Sequence, residues 1–133
     1  PLPKQPAQSL FAERLVQARE LRGLSQRALG DLMGLGKEKG STRINRYERQ
    51  TSSISLEALD ALASALEVPK AYLVADSGVF ADALLRLSQI DLERQPEVLE
   101  LLDRLIDDPK LAARLLTASK PAAKAKPAGR RKA

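Results

Sequence analysis

Residues 25–48 read SQRALGDLMGLGKEKGSTRINRYE, and the two ends of this stretch ask for two short helices. Ser25 can accept a hydrogen bond from the free N–H groups of a first turn, and Leu29, Leu32 and Met33 fall on one face of the helix that follows. Leu24 and Leu29 occupy the positions of a hydrophobic staple. Gly30 is the exception, because glycine inside a helix costs about 1 kcal/mol against alanine. A second helix crossing close over that point would need the missing side chain. Such a helix is available in STRINRYER, residues 41–49, where Ile44 and Tyr47 are three apart and face inward while Ser41, Thr42, Asn45, Arg46 and Arg49 face out. The stretch thus reads as two short helices joined by a glycine-containing turn, the second with a polar, basic outer face.

Composition narrows the chemistry. At 133 residues the chain is one domain, or one domain with an appendage. It has no run of the roughly twenty apolar residues that a membrane helix needs, and its start shows no basic region followed by an apolar stretch, so no secretion signal is expected. Cysteine is absent, which fits a reducing cytoplasm. Histidine is absent too, and without either residue most transition-metal sites and hydrolytic triads cannot be built. An enzyme, a metal site and a cofactor are therefore not expected.

The net charge of +5 is unevenly spread. Residues 1–75 hold eleven Lys/Arg and eight Asp/Glu, or +3; residues 76–119 hold five and nine, or −4; residues 120–133 hold six and none, or +6. Basic charge collects between Lys37 and Arg49 and in the tail, with an acidic segment between them, which argues for separate tasks.

Taken in order, PLPKQPAQ (residues 1–8) has three prolines and no apolar period and reads as a flexible arm. Ser9 can cap a helix with Phe11, Leu15, Ala18 and either Leu21 or Arg22 on one face, ended by Gly23. Past Gln50, Ser55 is an N-cap with Ile54 and Leu59 at staple positions. The next helix places Leu56, Leu59, Leu62, Ala63 and Leu66 inward. Val68-Pro69 breaks it, and KAYLV (70–74) forms a short fifth helix. Beyond Asp76, Val79, Phe80, Ala83, Leu84 and Leu87 form a stripe, Pro96 can open a helix, and Asp108-Pro109 can open another. Three short amphipathic helices over 76–119 bury little by themselves and must pack on the first domain as a lid or, as expected here, on another copy. The tail, residues 120–133, is low-complexity and reads as disordered; its charge can raise non-specific DNA affinity, or be merely solvated.

Ser25-Gln26, Leu29, the small residue at 30, Met33-Gly34 and, downstream, Ile44-Asn-Arg-Tyr-Glu48 resemble the helix-turn-helix of Cro and lambda-repressor-like regulators, called XRE-type. The similarity runs from about Phe11 to Leu73. It departs at a longer turn from Leu35 to Gly40 and at Gln50, where the family usually has glycine. The resemblance implies an all-α, lambda-repressor-like five-helix DNA-binding domain over residues 9–75, followed by a helical oligomerisation region and the disordered basic tail.

It also implies a partition of residues. Ser41, Thr42 and Arg46 match positions that reach base edges, with Arg43 and Asn45 adjacent; Arg46 has the fork that can hold guanine O6 and N7 together, or can contact a phosphate from the same face. Gln26 matches a phosphate contact, Ser25 lies beside it at a helix N-terminus, and Arg49, Lys37 and Lys39 can add charge. Arg19 and Glu48 match a partly buried structural ion pair. Leu29, Gly30, Met33, Ile44 and Tyr47 are core. The function implied is a cytoplasmic, sequence-specific regulator of transcription that binds double-stranded DNA. It would act as a homodimer or larger oligomer on a two-fold operator, since such domains read two half-sites. Two other readings fit the same residues: a DNA-binding antitoxin or phage-type repressor whose C-terminal part holds a protein partner, and an interaction module that no longer reads bases.

Overall fold

The computed structural model describes residues 5–36 and 38–118. Among these, every regular element is helical: α1 (Ala7–Leu21), α2 (Gln26–Leu32), α3 (Lys39–Glu48), α4 (Leu56–Leu66), a 3-10 turn (Lys70–Val74), α5 (Gly78–Ser88), a second 3-10 turn (Leu92–Arg94), α6 (Gln95–Asp107) and α7 (Leu111–Ala118). The chain divides into two compact units after Ile90. The first extends past the boundary expected after residue 75, because α5 packs against the 3-10 turn Lys70–Val74. Residues 1–4 of the arm, Lys37 and the basic tail lie outside the described residues.

Serine caps set three of the helix starts. Ser25, Ser55 and Ser77 accept the backbone N–H of Ala28 (2.9 Å), Ala58 (3.1 Å) and Phe80 (3.1 Å), each worth about 1 kcal/mol. The first helix starts earlier than its expected Ser9 cap. Pro6 precedes it at φ −57, and the Ser9 hydroxyl instead donates to the Pro6 carbonyl at 3.0 Å. KAYLV is a 3-10 turn rather than an α-helix; five residues close too few i→i−4 bonds to sustain one.

Six side chains that water does not reach form the centre of the first unit: Leu15, Leu29, Ile44, Leu62, Leu66 and Leu73. Each contributes about 1.5–3 kcal/mol by leaving water. Phe11 meets Tyr47 edge-on, ring centroids 6.0 Å apart, which seats α3 against α1. Gly30 and Gly40 let α2 and α3 touch through their backbones: a Cβ on Gly30 would stand 2.5 Å from the Gly40 Cα. That contact draws Gly40 into α3, which therefore starts at Lys39, before the expected Ser41. Gly34 (φ 71) and Gly36 (φ 76) turn the chain between the two helices.

Several apolar residues point elsewhere than their spacing suggests. Leu32 is exposed; it lies two residues, or about 200°, around the helix from Gly30, the point pressed against α3. Leu56, expected inward, is exposed on the first turn of α4. On α5 the buried side is Ala81 with half-buried Leu84 and Leu85, whereas Val79, Phe80 and Ala83 of the expected stripe face solvent. Ala81 joins the cluster of Tyr72, Leu73 and Ala75, and this contact orients the helix. Leu21 is exposed, and Arg22 reaches from the end of α1 to the Leu66 (2.8 Å) and Glu67 (2.7 Å) carbonyls, capping α4 where Glu67 adopts φ 53.

The second unit, by itself, holds a short turn and two helices. Pro96 lies in the first turn of α6, and Asp108 opens the last segment by accepting the Lys110 N–H at 3.2 Å and pairing with Arg114. No residue of α6 or α7 is buried. Leu99, Leu102 and Ile106, at helical spacing on α6, are 61%, 48% and 75% exposed.

Candidate nucleic-acid interface

Helix α3 separates its residues by chemistry. Ile44 and Tyr47 face the core, while Thr42, Arg43, Arg46 and Arg49 are exposed and Ser41 and Asn45 sit half-buried on the shoulders. Among the described residues, none of the guanidinium groups of Arg43, Arg46 and Arg49 is paired with a carboxylate. Three cations on one exposed face of one helix leave a positive field for an anionic partner to neutralise. Lys39 adds a fourth charge at the first residue of the helix, exposed and at the positive end of its dipole.

The polar members of this face are oriented by their own bonds. The Thr42 hydroxyl donates to the Glu38 carbonyl at 3.1 Å, leaving its oxygen as an acceptor and its methyl as an apolar contact. Thr51 closes the far end, its N–H donating to the Arg46 carbonyl at 2.9 Å. Gln50, between Arg49 and Thr51, stands at φ 62, the left-handed conformation that the family's usual glycine adopts without strain. An L-residue here costs about 1–2 kcal/mol.

Behind the face lies a polar cluster. Arg19 of α1 donates from Nε to Glu48 Oε1 at 2.6 Å, from Nη2 to Oε2 at 3.4 Å, and from Nη1 to the Leu24 carbonyl at 2.9 Å. The pair is largely screened from water, with side chains 17% and 9% exposed. One guanidinium therefore ties α1, the turn before α2 and the last residue of α3 into one frame. Gln26, at the start of α2, donates from Nε2 to Glu48 Oε2 at 2.7 Å and to Asn45 Oδ1 at 3.4 Å. Ser25, beside it, keeps its hydroxyl proton available while its oxygen serves the cap.

The structure thus groups Ser41, Thr42, Arg43, Asn45, Arg46 and Lys39 on one helix, with Arg49 as its C-cap, and places Gln26 against its last turns. Spacing did not reveal the Gln26 bonds, since a polar residue at a helix start gives no hint of which neighbour it faces. Nor did it reveal that Gly40 faces Gly30, though a second small residue at the head of the basic helix was the available signal. Among the described residues, no group of three or more His, Cys, Asp or Glu side chains could hold a metal ion, and no helix is long and apolar enough to cross a membrane.

Comparison with known proteins places this geometry. The pattern of a helix-turn-helix family matches residues 15–73, from the middle of α1 into the 3-10 turn after α4. Among solved structures, the transcriptional regulator BswR is 33% identical and superposes with a TM-score of 0.66, covering 72% of this chain and 95% of its own. No curated protein sequence matches the chain. Identity at that level over nearly all of BswR, joined to the family pattern on the same helices, means that this chain belongs to the XRE-type helix-turn-helix family.

Proposed function

We propose that this protein is a cytoplasmic, sequence-specific regulator of transcription that lays α3 in the major groove of double-stranded DNA. The observation that carries this reading is the outer face of α3: its three guanidinium groups lack carboxylate partners among the described residues, and the helix that bears them is braced by the Arg19–Glu48 pair. Arg46, Asn45, Arg43, Thr42 and Ser41 are the base-reading candidates. Arg49, Lys37 and Lys39, with Ser25 and the backbone N–H of Gln26 at the head of α2, are the phosphate contacts. Base contacts decide sequence and phosphate contacts decide overall affinity and salt dependence, so the two sets separate by experiment. Arg46→Ala should flatten preference for the selected site, losing about 1–3 kcal/mol of discrimination, while weak binding to random duplex remains. Unchanged selectivity in competition binding at fixed salt would refute the assignment.

A two-fold operator needs two copies, and we propose that residues 76–119 supply the contact. What supports it is the apolar row Leu99, Leu102 and Ile106, three large side chains at helical spacing that stay exposed. Leu102→Asp with Ile106→Asp should lower the mass seen by light scattering and weaken operator binding. A double variant of unchanged mass would move the interface elsewhere.

A further inference from the structure

The hydrogen bonds of Gln26 assign it a role beyond a phosphate contact. A carboxylate only accepts hydrogen bonds, so Glu48 forces the amide of Gln26 to present its Nε2, at 2.7 Å. The second hydrogen of that nitrogen points to Asn45 at 3.4 Å and needs an acceptor there; the Asn45 amide meets it with Oδ1. The reverse orientation would set two N–H groups against each other. The charge on Glu48 therefore fixes the sense of two amides in succession, and Arg19, 2.6 Å from the same carboxylate, keeps that charge in place. Among the described residues Asn45 is left with its Nδ2 hydrogens free, on the shoulder of the exposed face of α3.

Resting on the reading of α3 as the base-reading helix, we propose that Gln26 is a positioning residue for specificity: it turns the Asn45 amide so that only donors face the groove, and Asn45 thereby reads a guanine edge. Guanine offers two acceptors there, N7 and O6, whereas adenine offers one acceptor and one donor and is matched by an asparagine that presents both its oxygen and its nitrogen. With Oδ1 held by Gln26, the adenine match is closed to Asn45. Without Gln26 it opens.

The test uses the full-length protein and sites selected from random duplex DNA at one salt concentration. Asn45→Ala first locates the base pair that Asn45 faces. At that pair the unaltered protein should prefer guanine over adenine by about 5- to 150-fold. Gln26→Met keeps the length of the side chain and removes the amide; it should bring that preference to about threefold or less, with preferences at other base pairs unchanged. Glu48→Gln, which lets the Gln26 amide turn and also weakens the brace to Arg19, should relax the same base pair more than any other. Far-UV circular dichroism confirms that each variant keeps its helices. The proposal is overturned if Gln26→Met weakens all sequences alike, which would make Gln26 a phosphate contact only, or if Asn45→Ala alters no single base pair. A protein that selects no sequence at all would overturn the underlying reading of α3 instead.

Discussion

Cutting the tie between α1 and α3 tests how the interface is braced. Arg19→Ala removes the guanidinium that holds Glu48 and the Leu24 carbonyl together. It leaves a carboxylate 9% exposed, with Gln26 as its remaining partner. Breaking a fully buried pair from one side costs about 3–5 kcal/mol, and an exposed pair contributes less than about 1. With the arginine 17% exposed and one hydrogen bond left to the carboxylate, the expected loss is about 2–4 kcal/mol. For a unit of this size that is a large part of its stability and should lower the melting temperature by roughly 10–25 °C. Glu48→Ala should cost a similar amount, and the double variant little more than either, because the penalty in each single variant is a stranded charge. Urea titration followed by circular dichroism gives the cycle, with an expected coupling of about 1.5–3 kcal/mol. A coupling below about 0.5 kcal/mol would mean that water already screens the pair and that the frame is held by Phe11, Tyr47 and the glycine contact alone.

Gly30→Ala adds a favourable helix propensity of about 1 kcal/mol but sets its Cβ 2.5 Å from the Gly40 Cα, so the two backbones must part. A net loss of about 2 kcal/mol with weakened DNA binding is expected, and a variant as stable as the parent in urea would refute the close contact. Gln50→Gly should gain about 1 kcal/mol by relieving a φ of 62, seen as a higher melting temperature, since the Gln8 contact there goes to the Gln50 backbone carbonyl and survives; no gain would show that the left-handed residue is unstrained. Burial raises the Tyr72 hydroxyl above its ordinary value of 10.0, with the nearby charge of Arg14 opposing. The unfolded tyrosine then loses its proton first, so this contribution to stability is whole below about pH 10 and fades as pH climbs past it. Tyr72→Phe should flatten that decline in urea midpoints measured across the alkaline range, and equal declines in both proteins would refute it.

The fold was legible where one residue type has one physical use. Serine before an apolar run announced the starts of α2 and α4, and an unexplained glycine at 30 announced a crossing helix, which the Gly30–Gly40 contact supplies. Legibility failed where several apolar residues competed for one core. On α5 the period alone favoured Val79, Phe80, Ala83, Leu84 and Leu87, whereas the helix packs on the neighbouring 3-10 turn through Ala81, with Leu84 and Leu85 half-buried beside it. At the interface, residue types indicated which side chains face out. Their orientation was not legible: that Thr42 spends its proton on the Glu38 carbonyl one turn back depends on a rotamer, and that Gln26 spends both of its N–H groups on Glu48 and Asn45 depends on distances between helices, neither of which a linear pattern contains.

The placement of these two devices explains how a domain with so few aromatic residues can hold α3 steady. Gly40 pins the head of α3 against α2 by removing every atom that would separate the backbones, and Glu48 pins its last residue through Arg19. Eight residues separate the pins, or about 12 Å along the axis. One pin alone would leave a pivot, about which a rotation of a few degrees swings the far side chains by a sizeable part of a hydrogen-bond length. With both ends fixed, the remaining freedom is rotation about the helix axis, and Ile44 and Tyr47, buried between the pins, oppose that. Specificity in such a helix comes less from the strength of any one base contact than from the absence of any motion that would let a wrong base be accommodated. For that reason the bracing residues, none of which needs to touch DNA, should govern discrimination as strongly as those that do.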